Sequence, residues 1–513
     1  MLKPELKPEL SINLKSVLIA NRGEIACRII RSAKAMGLRT IAVYSDIDAT
    51  ALHVQAVDEA WCLGPALAGE SYLNAEKILA IAAQAKADSI HPGYGFLSEN
   101  AAFVAACKTN GIVFIGPDVD AIKHMGSKSA AKTIMLQAGI PLVPGYHGTD
   151  QDNKRLQAEA DQMGYPLLIK AVAGGDKGMR VFGQSPHFLT HLAAARREGL
   201  ASFGNADVLL EKYLVNPRHV EVQIFCDRHG QGIYLGDRDC SAQRRHQKVI
   251  EKAPAPGLTL ALRQEMGRTA LEAAQAIDYV GAGTVEFLLD SVGRYYFMEM
   301  NTRLQVEHPV TEIVTGIDLV AWQLKVAAGE PLPWSQAQVC LTGHAFEARI
   351  YAENPQHDFQ PSTERLVHLR SPPTSNNIRI DTGVREGDEI SPYYNPMIAK
   401  LIAWAPSRTQ ALNTLNLGLQ DYHIDGIHTN IDLLRRLAIL DEFAHAKLHT
   451  GIIEEHQDDF LAGSLQDSKI VLAMKMEHTI TASKAGLVGE IYFKVGDLVD
   501  ADYALLELID EDT

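Results

Sequence analysis

A chain of 513 residues with a formal net charge of −15 is too long for one hydrophobic core and predicts about three domains. The acidic balance argues against a nucleic-acid or anionic-membrane partner, so any phosphate ligand has to be held by local basic groups. Six scattered cysteines without a CxxC pair argue against a disulfide framework or a zinc finger and fit a reducing compartment.

The opening MLKPELKPEL carries acidic residues and prolines, unlike the apolar core of a secretory signal or an Arg-rich transit peptide, so the expected location is cytoplasmic. No run reaches the roughly 20 apolar residues of a membrane helix. Residues 17–20 form a short strand, Asn21-Arg22-Gly23-Glu24 a turn, and Ile25, Ala26, Ile29, Ile30, Ala33 and Met36 recur at helical spacing. Gly37 ends that helix and residues 40–44 make a second strand, giving a βαβ unit of the doubly wound kind. A dinucleotide site would need GxGxxG here; Gly23 stands alone, which rejects a nicotinamide cofactor. A helix over 75–86, a strand at 89–90, the loop HPGYGFLSEN, a helix over 101–108 and a strand over 112–115 complete this domain. Such loops hold ligands in open α/β sheets, and a tight structural turn would look the same.

A helix over 128–138 opens a new unit. Residues 165–171 read as a strand ending near Lys170, followed by the glycines Gly174, Gly175 and Gly178 and a strand over 179–182. A glycine-tipped hairpin lets backbone N–H groups approach phosphates, and an ordinary hairpin has the same composition. Residues 208–214 and 219–225 alternate polar with apolar, as strands of a sheet with one open face do. Arg238, Arg244, Arg245, His246, Lys248 and Lys252 then cluster in an acidic chain, which points to phosphate charge.

Residues 284–289 and 295–300 are rich in aromatic and β-branched residues and flank a turn with Gly293, a hairpin that sets Glu286 opposite Glu299. Opposed residues lie roughly 4.5–5.5 Å apart at Cβ, where like charges destabilise a sheet. A divalent cation relieves that repulsion, and Mg²⁺ favours carboxylate oxygens. A register shifted by one would instead leave one glutamate in solvent. Asn301, Arg303, Gln305, Glu307 and His308 follow, a polar density that favours a ligand.

With these segments in view the chain resembles the ATP-grasp biotin carboxylases, and within them the α subunits of acyl-CoA carboxylases. The matching stretches include LIANRGEIACRIIRSAKAMG, HPGYGFLSEN, EKYLVNPRHVEVQIF, RDCSAQRRHQKV, FMEMNTRLQVEHPVTE, GHAFEARIYAE and PMIAKL. GYHG, AFEARIYAE and IHTNIDLL look most like the methylcrotonyl-CoA carboxylase branch. The resemblance implies α/β and α+β architecture: a Rossmann-like domain over 14–127, an ATP-grasp domain over 128–343 with a mobile lid over about 142–214, and an α+β domain over 344–456. A linker over 457–469 and a partial all-β biotinyl carrier segment over 470–511 follow, with Lys475 in Ala-Met-Lys-Met as the biotinyl position. ATP contacts are implied for Lys128, Lys170, Gly174, Gly175, Glu211, Lys212, Leu214, His219, Gln243 and His246. Glu286 and Glu299, with Asn301 beside them, are implied as Mg²⁺ (or Mn²⁺) ligands. Lys248 matches the lysine between nucleotide and bicarbonate, Arg303, Gln305 and Val306 the bicarbonate pocket, Glu307 the general base, and Arg349 the arginine of the biotin enolate. The implied chemistry is deprotonation of bicarbonate, attack on the γ-phosphate to give carboxyphosphate, and carboxylation of biotin.

The sequence departs from this pattern at Lys170–Arg180, KAVAGGDKGMR, one residue shorter than the usual lid loop and with Asp176 among its glycines. Asp237 and Lys252 stand where glutamates are usual. The first half of a carrier domain and the segment that docks on a carboxyltransferase β subunit are not recognisable before Lys475; half a sandwich leaves strand edges unpaired, so the tail is expected to be poorly ordered or to pair with a neighbour. The resemblance also implies a homodimer. A non-catalytic homologue and an ATP-grasp carboxylate–amine ligase are the competing readings.

Overall fold

The computed structural model describes residues 13–172, 180–183, 185–245 and 247–461, and the strands Lys469–Ala473, Met476–Ile480, Leu487–Ile491 and Leu506–Ile509. The expectations placed on Gly174, Gly175, Asp176, His246 and Lys475 lie outside the described residues. Residues 1–455 form one compact unit and residues 456–513 a second, in which the four strands make two antiparallel pairs.

The first unit begins with a parallel sheet of β1 (Ser16–Ile19), β2 (Arg39–Ser45), β3 (Glu59–Gly64), β4 (Ser89–His91) and β5 (Val113–Phe114), in the order β3-β2-β1-β4-β5. Alternate residues of β1 serve opposite faces. Val17 and Ile19 pack with Ile25 and Ile29 of the helix Gly23–Ala35, while Leu18 joins Ile41, Val43 and Ile90. Burial on both faces is what a parallel sheet flanked by helices requires, and the expected βαβ unit is present. The loop 91–100 is hooked to the first turn: Asn21 Nδ2 donates to the carbonyls of Pro92 (2.7 Å) and Tyr94 (2.8 Å). A Cβ on Gly93 would lie 2.9 Å from that nitrogen, so the glycine permits the close approach.

A four-stranded sheet follows, β6 (Gly145–Tyr146), β7 (Leu167–Ala171), β8 (Arg180–Phe182) and β9 (Val208–Lys212), ordered β6-β9-β7-β8. Leu167, Ile169 and Leu210 face a core with Leu156, Phe188 and Leu192 of its two helices. Lys170 and Glu211 therefore take the other face.

The site-bearing sheet contains β10 (Arg218–Cys226), β11 (Gly232–Arg244), β12 (Gln247–Ala253), β13 (Gly281–Leu289), β14 (Tyr295–Asn301) and β15 (His344–Tyr351). Beyond the short strands β16 (Glu353–Asn354), β17 (Gln360–Pro361) and β18 (His368–Arg370), it is completed by β19 (Ile378–Thr382) and β20 (Met397–Ala405). The order is β14-β13-β10-β11-β12-β15-β20-β19, antiparallel throughout. One face, with Val220, Val222, Val285 and Phe287, packs on Met266, Ala270 and Ala273 of the helix Leu260–Gln275. The opposite face corrects the expectation of an open surface: His219, Glu221, Gln223, Thr284 and Glu286 are all buried, as is Glu211 of β9. Alternation looks the same in sequence whether the polar face meets water or an internal cluster of charges.

Candidate active site

The sheet register lines up three glutamates across three strands. Glu221 of β10 faces Glu286 of β13, and Glu286 faces Glu299 of β14. The expected opposition of Glu286 and Glu299 is the observed register, and the one-residue slip is not. Three carboxylates in a row need compensation. Arg238, which faces Glu221 from β11, supplies part of it from a fully buried position. Its Nε donates to Glu221 (2.5 Å), Nη1 to Gln223 (2.8 Å) and Thr311 (2.9 Å), and Nη2 to Thr284 (3.0 Å) and Gln305 (2.9 Å). All five donors of the guanidinium fork are used.

Lys248 of β12 supplies the rest. Its Nζ donates to Glu221 (2.6 Å), Glu286 (2.9 Å) and Glu307 (2.6 Å). Burial alone would lower the ammonium pKa, but these three carboxylates outweigh it and hold Lys248 well above its ordinary value. Glu286 also accepts from Asn301 (2.8 Å) and Gln305 (2.7 Å), and His219 Nε2 lies 2.9 Å from its other oxygen as an ion-pair contact. Burial would raise its carboxyl, and the charges of Lys248 and His219 drive it far down instead. His219 is raised in turn, burial being outweighed chiefly by Glu286.

Glu307 is the N-cap of the helix His308–Thr315, where a carboxylate meets the positive end of the helix dipole. Burial is again overcome, by Lys248, Arg349 and Arg238, and the carboxyl lies well below its usual range. Arg349 Nη2 donates to Glu307 Oε2 (2.9 Å) and also pairs with Glu251. Arg303 makes no ion pair with Glu307, although, against burial and after Glu99, that carboxylate helps to raise its pKa: Nε donates to Glu99 (2.8 Å), at the end of the 91–100 loop, and Nη2 to Asn301 (2.9 Å). That loop thus contributes a carboxylate to the site. The Val306 carbonyl accepts from Lys400 (2.9 Å), and Gln243 faces Lys248 across β11–β12.

A second cluster lies on the smaller sheet. Glu211 Oε2 pairs with Lys170 (2.6 Å), and its other oxygen with Lys132. Lys128 and Lys170 both act electrostatically on Lys132, as does Glu299, the end of the carboxylate row, with opposite sign. Lys212 does not join them; its Nζ donates to the carbonyls of Gly164 (2.9 Å) and Tyr165 (3.0 Å). Leu214 follows β9 and is half-buried.

The basic cluster of 238–252 is dispersed. Arg238 and Lys248 enter the site, Arg244 pairs with Glu353, and exposed Arg245 pairs with Asp358. Lys252 is buried, with Nζ 5.0 Å from the Phe443 ring, and burial first of all lowers its pKa to about 7. A hairpin sends alternate side chains to opposite faces, so sequence proximity did not make one charge patch. Conversely, Glu221, Gln223, Glu251, Glu99 and Lys132 belong to the clusters without having been expected there. His219, Glu221 and Gln223 at every second position were the available signal.

Glu286 and Glu299 offer oxygen donors only, one buried and one exposed, in directly opposed positions. That set suits a hard divalent cation with phosphate completing its shell. Asn301 is less free to ligate, because Oδ1 accepts from Arg303 and Nδ2 donates to Glu286.

Known proteins resemble this chain over most of its length. Models of the biotin carboxylase N-terminal domain, the carbamoyl-phosphate synthase L chain ATP-binding domain and the biotin carboxylase C-terminal domain match residues 13–122, 127–335 and 347–455. A biotin-requiring enzyme model matches residues 466–508. The mitochondrial methylcrotonoyl-CoA carboxylase subunit alpha of Dictyostelium discoideum is 54% identical over 463 residues, covering 90% of this chain and 66% of its own length. The chain thus spans about two thirds or less of such relatives. The biotin carboxylase of a Nostoc species is 49% identical over 443 residues, covering 86% of this chain and 98% of that protein. Among solved structures, a biotin carboxylase from Campylobacter jejuni in complex with β-γ-ATP superposes with a TM-score of 0.84 at 43% identity, over 86% of this chain and 99% of that one. The biotin carboxylase domain dimer of Hydrogenobacter thermophilus 2-oxoglutarate carboxylase, bound to MgADP, ADP and bicarbonate, gives 0.83 at 44% identity, over 87% and 98%. The chain belongs to the biotin carboxylase family.

Proposed function

We propose that this protein carboxylates biotin at the expense of ATP and bicarbonate, as the α subunit of an acyl-CoA carboxylase of the methylcrotonyl-CoA type. The observation that carries the reading is Lys248, whose three protons join the carboxylate row of Glu221 and Glu286 to Glu307. One cation thereby links the proposed nucleotide side to a carboxylate held ionised by Lys248, Arg349 and Arg238. A general base must be unprotonated when bicarbonate arrives, and Glu307 meets that condition. Arg303 is the bicarbonate anchor, and Lys128, Lys132 and Lys170 face the nucleotide phosphates. Glu286 and Glu299 would hold the divalent ion, which neutralises phosphate charge when bound. Arg349 stabilises negative charge on the ureido oxygen of the acceptor.

A homodimer and a carboxyltransferase β partner belong to the same reading, as does Lys475 as the biotinyl position, which a streptavidin blot tests. The compartment is reducing, in keeping with six free cysteines. No helix among the described residues is long and apolar enough to cross a membrane. The deciding experiment is bicarbonate-dependent ATP cleavage by the full chain, with free biotin added. Stimulation by biotin is expected, and its absence alongside intact ATP binding sinks the reading. Glu307→Gln should lose at least about a hundredfold in rate; full activity in that variant removes the base assignment.

A further inference from the structure

Behind Arg349 lies a pair of carboxylates that the reaction described above does not use. Glu251 of β12 and Glu347 of β15 are direct partners in the antiparallel register, and both are fully buried. Directly opposed residues share a face, and the next such pair on that face, Ala253 and Ala345, packs on Val310 and Val314 of the helix His308–Thr315. Among the described residues no oxygen of either acid accepts a hydrogen bond of regular geometry. Two ionised carboxylates in this setting repel each other without solvent screening, so one of them is neutral.

Among the described residues only Glu251 of the two has a cation in contact: its Oε1 pairs with Arg349 Nη2, the nitrogen that also donates to Glu307. The other charged groups facing the pair are Lys400 across β20, Lys248 along β12 and Glu307 from the helix cap, with Cys240 on β11. Burial raises both acids; at Glu251 Arg349 opposes the rise and Glu307 adds to it, leaving the carboxyl at about 7, while at Glu347 Lys400 opposes it, Glu251 adds to it, and the carboxyl lies well above its usual range.

We propose that Glu251 and Glu347 share a single proton, held on Glu347, and that Glu251 is a positioning residue that keeps Arg349 in place while Glu307 carries the proton taken from bicarbonate. The proposal rests on the biotin carboxylase reading. Glu307 loses its negative charge when it accepts a proton, and with it most of its hold on Arg349. Glu251 remains ionised, so the guanidinium stays seated for the biotin-dependent step.

Two measurements on the full chain test this. Infrared difference spectra at neutral pH between the unmodified protein and Glu347→Gln should show the carbonyl stretch of a buried protonated carboxyl that the variant lacks; no such difference overturns the shared proton. This readout needs no turnover and stands even if the enzyme reading fails. Glu251→Gln should lower the biotin-dependent ATP cleavage about ten- to a hundredfold more than the biotin-independent, bicarbonate-dependent cleavage. Equal losses in both rates show a merely structural role and overturn the positioning assignment. Absence of any bicarbonate-dependent cleavage in the unmodified protein sinks the enzyme reading instead, and the infrared result then decides the carboxyl pair alone. It also decides where Glu251→Gln does not fold.

Discussion

Lys248→Met removes one cation from three buried carboxylates at once. Lys248 Nζ lies 2.6 Å from Glu307, and it heads the charges that offset burial there. A hydrogen bond to a charged group contributes about 1.5–3 kcal/mol. With about 1.36 kcal/mol per pKa unit, the Glu307 carboxyl should rise by roughly one to two units in the variant. The sign follows from which form the cation favours. In the unmodified protein the carboxyl is depressed, so the proton-accepting form persists far into acid. Without Lys248 that form appears only at higher pH, so residual activity should climb where the unmodified enzyme is already on its plateau. The assay is bicarbonate-dependent ATP cleavage across pH, with nucleotide binding as the folding control. An acid limb unmoved by the substitution would refute the claim that Lys248 keeps Glu307 ionised.

Other changes separate site chemistry from scaffold. Arg238→Met leaves Glu221 buried with one cation fewer and should cost about 3–5 kcal/mol of stability in urea denaturation, whereas Arg245→Met, at an exposed pair, should stay within about 0.5 kcal/mol; equal shifts refute the ranking. Glu299→Gln should raise the Mg²⁺ concentration for half-maximal ATP cleavage roughly tenfold or more, and an unchanged Mg²⁺ dependence removes Glu299 from the ion site. Lys252 binds its proton less tightly folded, at about 7, than unfolded, so unfolding takes up protons above neutrality and stability should rise between about pH 7 and 10. Lys252→Met should abolish that rise, and denaturation midpoints with the same pH slope in both proteins would contradict it.

The elements and part of the site were legible in the sequence for different reasons. Periodicity placed the helix Gly23–Ala35 and the strands on either side of it, because burial on defined faces writes itself into apolar spacing. The Glu286–Glu299 opposition followed from hairpin geometry around Gly293, a local constraint. What stayed hidden was non-local. Glu251 and Glu347 are 96 positions apart and meet only because β12 pairs with β15. Glu99 reaches Arg303 only through the docking of the first domain. The basic run 238–252 misled because charge density along a strand says nothing about which face each charge takes.

Buried ion pairs are weak stabilisers, so a row of three glutamates crossing a sheet needs another explanation than folding. Arg238 has its donors spent on five fixed acceptors and is not available to a ligand without breaking the sheet face. Lys248 is different. Its partners are separate carboxylates, and one of them, Glu307, stands on a helix cap rather than on a strand. In the proposed reaction Glu307 accepts a proton, its claim on Lys248 weakens, and an ammonium still held by Glu221 and Glu286 would have one donor to offer an incoming anion. On that proposal proton uptake and charge stabilisation would be one event, without the reorganisation that water would demand. The sheet supplies the rigid half of that device, Glu221 and Arg238, and the helix cap supplies the half that changes charge.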